Sequence, residues 1–162
     1  MNNAGMNAPQ PIDQVSDETW DRIVEVNLSS VMALTRELVP GMKERRWGRV
    51  IHIASIFGQV SKEGRNAYSA TKSALFGLAR ASALDLGPFG VTVNCIAPGP
   101  FLTDMPLSIL SDAEKKVFSD RTAMGRWGEP RELAGPCLLL ASEAGSYVTG
   151  QVLFVDGGYL AR

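Results

Sequence analysis

Apolar residues recur at Trp20, Ile23, Val24, Leu28, Val31, Leu34, Leu38 and Met42. That spacing puts them on one stripe of a helix. Ser16 stands ahead of it as an N-cap, and Asp17 and Glu18 fill a first turn where acids suit the dipole. Pro40 and Gly41 weaken the far end, and Trp47-Gly48 closes it. The pattern then changes. Arg49–Ser55, "RVIHIAS", is short, β-branched and apolar on both faces, which predicts a buried parallel strand. Gly58 and Gly64 mark a loop. Asn66–Leu86 is Ala/Leu-rich and stops at Gly87-Pro88, which predicts a second helix. "GVTVNCIAPGP" predicts a second buried strand running into Pro and Gly. "SDAE" at Ser111–Glu114 is a capping-box pattern that opens a short helix. Pro130 suits the first position of another, reaching about Ser142. "QVLFVDGG" is a last strand ending at Gly157-Gly158.

Strands alternating with helices predict an α/β fold with a parallel sheet and right-handed crossovers. Three strands make a thin sheet for this class and leave a buried-type strand unpaired at one edge, which natural folds avoid. The sequence therefore reads as part of a larger sheet. No repeat, linker or low-complexity tract divides it, so residues 1–162 form one domain.

Composition narrows the setting. Of 162 residues, 45% are hydrophobic and 20% charged, as in ordinary globular proteins. The net charge of −1 offers no basic field to nucleic acid or an anionic membrane. The one basic cluster, "KERR" at 43–46, suits a helix end. Cys95 and Cys137 lie far apart, and without CxxC or a Cys/His cluster no metal site is expected. The start is polar and lacks an apolar signal region, and no apolar run is long enough to span a membrane. A reducing cytoplasm is the expected compartment.

In open α/β sheets, ligands sit beyond the carboxyl ends of the strands. Ser55 and Pro98-Gly99 occupy such ends. After Ser55 comes "YSATK", with Tyr68 and Lys72 one helical turn apart. A lysine there would favour the phenolate, and a tyrosine so tuned is a general acid or base. A serine hydroxyl opposite would hold a carbonyl oxygen. Taken alone, the pair is more simply a half-buried aromatic and a solvated charge. Asn27 interrupts the first apolar stripe, and its amide must find partners there. His52, inside its strand, and Asp156 in "VDGG" suit structural hydrogen bonds. Gln59, Arg65 and Asn66 either contact a polar or anionic substrate or solvate their loop, the second being the plainer reading. The segment from Leu102 to about Arg126, with Met105, Leu107, Ile109, Leu110 and Phe118, suits a lid over the substrate or ordinary packing.

Together these pieces resemble the short-chain dehydrogenase/reductase family. They are "NNAG" at 2–5, Asn27 in "VNLSS", Ser55 in "IHIAS", "YSATK" at 68–72, "NCIAPGPFLT" at 94–103 and "YVTGQVLFVDGG" at 147–158. The joint match runs in order along essentially the whole chain. The resemblance implies a Rossmann-like doubly wound parallel sheet, here truncated to strands five to seven of the usual seven. It implies that Tyr68 is the catalytic acid/base, with Lys72 lowering its pKa and binding the nicotinamide ribose. Ser55 would polarise the substrate oxygen, and Asn27 would hold a relay water. Asn3, Ala4 and Gly5 would pass beside the adenosine ribose. Pro98, Gly99, Phe101 and Thr103 would meet the nicotinamide carboxamide. The implied cofactor is NAD or NADP, and the implied substrate a small alcohol or ketone. Homodimers or homotetramers would form through the helices at Ser16–Arg46 and Asn66–Leu86. Within the family, residues 125–160 look most like gluconate 5-dehydrogenase-like members acting on sugar acids, with 3-oxoacyl-carrier-protein reductases as the competitor.

The sequence departs from the family in one respect. The Gly-rich turn that grips the pyrophosphate, and the residue that selects NAD or NADP, have no counterpart here. The first strands and helices are expected to be missing, and an internal valine codon read as a start would give Met1. Two readings follow: the catalytic part of an oxidoreductase, or a non-catalytic α/β module that keeps only oligomerisation surfaces. The isolated chain is expected to bind NAD(P)H poorly and to turn over little or nothing.

Overall fold

The computed structural model of the chain describes residues 1–103 and 110–161. The expected lid residues Met105, Leu107 and Ile109 lie outside the described residues. Three parallel strands form the sheet in the order β1 (Gly48–Ile53), β2 (Val91–Pro98), β3 (Val152–Val155). Gly48 aligns with Val91 and Ile53 with Ile96, while Cys95 aligns with Val152 and Pro98 with Val155. This register brings the carboxyl ends of the strands together, where the loops carrying Ser55, Pro98-Gly99 and Asp156 leave the sheet. β3 stops short of the expected strand because Asp156 starts a turn. Its Oδ1 accepts from the Gly158 N–H and its Oδ2 from the Leu160 N–H, each at 2.9 Å.

The outer edge of β1 takes one partner residue, Asn2. The Asn2 N–H donates to the Ile51 carbonyl at 2.8 Å, and its carbonyl accepts from Ile53 at 2.9 Å. This places the Asn3–Gly5 turn beside the loop that follows β1.

The first predicted helix is broken. α1 (Asp17–Val24) runs into a π-turn at Glu25–Ser29 and then into α2 (Ser30–Glu44). Ser16 caps α1 by accepting from the Thr19 N–H. The π-turn shifts the helical phase, and the buried line becomes Ile23, Asn27, Val31 and Thr35. The expected stripe is overturned in part: Trp20, Leu34 and Leu38 are 41%, 54% and 58% exposed. Apolar periodicity marks a helix face but does not say whether that face is covered.

α3 (Asn66–Leu86) follows the prediction. α4 (Asp112–Arg121) carries the expected Ser111/Glu114 capping box. The helix expected from Pro130 begins as a 3₁₀ turn, Pro130–Leu133, and continues as α5 (Ala134–Ala141).

The core lies mainly on one face of the sheet, where α2 and α3 pack. Val31, Leu75, Phe76, Ala79, Ala83 and Leu86 meet Val50, Val91, Val93, Cys95 and Ala97. On the other face the buried cluster is Ile51, Ile96 and Leu140, with α5 supplying Leu140. No helix among the described residues is long and apolar enough to cross a membrane.

Candidate active site

A cavity of about 550 Å³ opens at the carboxyl ends of the strands. Its wall includes Asn3, Ala4 and Gly5 from the N-terminal turn, and Ser55 from the loop after β1. Tyr68 and Lys72 enter from α3, and Pro98, Gly99, Phe101 and Thr103 from the loop after β2. Ten of the expected residues thus converge on one space. Asn27 does not line it but stands one layer behind.

Ser55 ends its strand in extended backbone and turns the chain, its Oγ accepting from the Phe57 N–H at 3.1 Å. The Phe57 ring meets the Tyr68 ring edge-on with centroids 6.5 Å apart, fixing one side of the phenol. Burial raises the Tyr68 pKa above its usual value, and the Ser55 hydroxyl and Arg65 guanidinium oppose that rise. Lys72 enters the same space one helical turn further along α3. Its Nζ stands 5.6 Å from the Tyr68 ring centroid and donates to the Ile53 carbonyl at 2.8 Å.

Lys72 is itself buried, and loss of hydration brings its pKa down to about 8. A buried ammonium needs acceptors, and Ile53 supplies one. Gly5 leaves room for the others. A Cβ at Gly5 would lie 3.4 Å from Lys72 Nζ and 3.6 Å from Asn27 Oδ1, so the turn passes within contact of both.

Asn27 is fully buried. Its Oδ1 accepts from the Met6 N–H at 2.8 Å, and its Nδ2 donates to the Met6 carbonyl at 2.9 Å and to Thr71 Oγ1 at 3.2 Å. The amide therefore clamps the N-terminal segment to α3, beside Lys72. The sequence called for partners at Asn27 but gave no hint of Met6 or Thr71, which are distant in the chain.

His52 has the structural bond expected of it. Its Nδ1 lies 2.9 Å from Asn2 Nδ2, and Asn2 Nδ2 also reaches Thr35 Oγ1. Burial, with a smaller contribution from the N-terminal charge, holds the His52 pKa down at about 4.

Three features were missed or underread. Arg65 was expected to solvate its loop, yet it is 6% exposed and lines the cavity. Its place three residues before Tyr68, one turn away on the same helix side, was the available signal. Asn7 also lines the cavity, with its Oδ1 buried and unpartnered. Phe118 and Trp127 close the outer wall, ring centroids 5.7 Å apart.

The parallel sheet, with its cavity at the strand ends and the Ser-Tyr-Lys set inside it, defines a Rossmann-like α/β fold. The family model described as Enoyl-(Acyl carrier protein) reductase matches residues 1–160, and the chain belongs to this family, among the short-chain dehydrogenases/reductases. Nodulation protein G of Azospirillum brasilense is 40% identical over 158 residues, covering 98% of this chain and 64% of that protein. The 3-oxoacyl-[acyl-carrier-protein] reductase FabG of Aquifex aeolicus is 37% identical, over 98% of this chain and 63% of that protein. The crystal structure of a gluconate 5-dehydrogenase from Burkholderia cenocepacia J2315, in complex with NADP and tartrate, superposes with a TM-score of 0.97 at 33% identity. It covers 99% of this chain and 64% of that one. The chain thus spans a little under two thirds of the length of these relatives.

Proposed function

We propose that the protein acts in hydride exchange between NAD(P)(H) and an alcohol or carbonyl substrate such as a sugar acid. The observation that carries this reading is the meeting of Ser55, Tyr68 and Lys72 with the Asn3–Gly5 and Pro98–Phe101 turns around one cavity. These residues fit the nicotinamide-ribose end of the cofactor. Gly5 brings the turn against the buried Lys72, whose ammonium would hold the ribose hydroxyls. Pro98, Gly99, Phe101 and Thr103 would meet the carboxamide, and Asn3 and Ala4 the adenosine ribose. When bound, the nicotinamide supplies or accepts the hydride.

The chain's own residues handle the oxygen and its proton. The Ser55 hydroxyl donates to the substrate oxygen and fixes it beside the Tyr68 phenol. With its pKa raised, Tyr68 is protonated at neutral pH and gives that proton to the developing alkoxide in reduction. In oxidation it takes the proton back. Asn27 holds the Met6 backbone and thereby the turn that borders Lys72.

The relative that holds NADP and tartrate favours a hydroxy-acid substrate, and the FabG relative keeps 3-oxoacyl thioesters as the alternative. Purified protein assayed with gluconate and with acetoacetyl thioesters, against NAD(H) and NADP(H), tests the reading. Turnover is expected where the pyrophosphate-gripping turn of the family is also supplied, and Tyr68→Phe should then cut it by ~10²–10⁴. Unchanged turnover in Tyr68→Phe would remove the tyrosine from the chemistry.

A second reading, a non-catalytic module meeting another copy of itself, is favoured by Leu34 and Leu38 of α2 and Leu84 of α3, all more than half exposed. Light scattering tests it, since a monomer at all concentrations excludes it.

A further inference from the structure

Arg65 is a buried cation with donors to spare. The residue is 6% exposed, and its Nε and Nη1 are buried with no hydrogen-bond partner. Burying an unpaired guanidinium is costly, so such a group persists where something outside the free chain completes it. It lines the cavity one helical turn from Tyr68. Among the described residues of that wall, the ionisable side chains are Arg65, Tyr68 and Lys72, with no carboxylate. Glu114, the acid whose charge acts on Arg65, makes its bonds elsewhere. It closes the α4 capping box and pairs with Lys62 at 3.3 Å. A wall whose described residues carry two cations and no acid suits an anion. Lys72 is already turned to the Ile53 carbonyl and the Gly5 turn, which leaves Arg65 on the Tyr68 side. Asn7 Oδ1, buried and unpartnered in the same wall, adds an acceptor for a hydroxyl.

We propose that Arg65 binds the carboxylate of the substrate, so that the site selects a hydroxy acid or oxo acid over a neutral alcohol. The guanidinium fork presents parallel N–H groups that match a carboxylate in two-point hydrogen bonding. Placement beside Tyr68 puts that anchor within one short carbon chain of the oxygen that Tyr68 protonates. The assignment rests on the oxidoreductase reading for the identity of the ligand as substrate. The anion preference itself does not need turnover.

The test is calorimetric titration of gluconate, and of its neutral analogue sorbitol, into the protein with NADP absent and present. Gluconate should bind roughly ten- to hundredfold tighter than sorbitol, the range expected of hydrogen bonds to a charged group. Arg65→Gln should abolish the difference, and Arg65→Lys, which keeps the charge without the fork, should restore part of it. Circular dichroism and thermal unfolding establish that each variant is folded, and the wild-type comparison stands without any variant. Equal affinities, absence of saturable gluconate binding, or a preference that survives in folded Arg65→Gln overturns the proposal. Equal affinities are the outcome if Arg65 merely braces Gln10, whose backbone it bridges and whose Oε1 is also buried without a partner. A protein that prefers gluconate but never exchanges hydride upholds Arg65 and sinks only the oxidoreductase reading. One that turns over both ligands with equal affinity does the reverse.

Discussion

The two faces of the sheet are built differently. Among the described residues, the α2/α3 face buries a twelve-residue apolar cluster, and the α5 face buries three. α5 is apolar along its length, yet Leu138 and Leu139 are 67% and 41% exposed and only Leu140 is fully covered. The dense face also carries the groups of the site. Tyr68 and Lys72 come from α3, and Asn27 from the π-turn ahead of α2. Precision at the cavity thus comes from the face where side chains have least freedom to relax. The α5 face supplies the wall residue Leu133 from its leading turn.

Core truncation should show this contrast most strongly. Leu75→Ala, on the dense face, should cost about 3–5 kcal/mol, because a packed surround cannot close the cavity left behind. Leu140→Ala should cost nearer ~2 kcal/mol, since exposed neighbours let that site collapse. Urea midpoints at constant m-value measure both, and equal costs would break the distinction between the faces.

Asn27→Ala leaves the Met6 N–H and carbonyl without their side-chain partners. A loss of about 2–3 kcal/mol is expected, with the Met6 amide exchanging faster in deuterium. A cost below ~0.5 kcal/mol would mean that the clamp contributes nothing to the dense face.

His52 gives the dense face a pH dependence. Its folded pKa of about 4 lies below the ordinary 6.5, so the native state favours the neutral ring. That contribution is full above pH ~6.5 and is lost as pH falls from there toward 4. Stability should drop by about 2 kcal/mol between pH 7.5 and pH 5. His52→Asn should flatten that part of the profile. An unchanged slope would show that the ring is not the titrating group.

The smallest effect belongs to the thin face. Leu138→Ser should change stability by no more than ~0.5 kcal/mol, as exposed substitutions do. A larger loss would show that this surface is covered in solution.

Much of the fold was legible because the deciding signals are local. The β-branched runs at 49–55 and 91–97 have no other good conformation between glycine stops, and the Ser111/Glu114 box announces its helix. The π-turn was not legible, because Glu-Val-Asn-Leu-Ser suits an α-helix equally well and only tertiary packing draws Asn27 inward. Leu34 and Leu38 carry the same periodic signal as Ile23 and Val31, and no local property separates a covered leucine from an open one. Ser55, Tyr68 and Lys72 stood out through joint spacing. Arg65 did not, because an arginine in a glycine-bounded loop has an obvious alternative in water. Its burial depends on Gln10, far away in sequence, bridging to it. Helical spacing places Lys72 on the right face but does not reveal that its ammonium is held by Ile53.

The Asn27 clamp also gives assembly of the site an order in time. Its amide joins Met6 to Thr71, partners 21 and 44 residues away from it along the chain. Contacts of such span close only after the intervening loops have surrendered their entropy. Helix α3, built from local contacts, therefore has to exist before the amide can join Met6 to Thr71. During refolding, the Met6 amide should gain protection from exchange after those of α3, so the Asn3–Gly5 turn joins the cavity only once that helix stands.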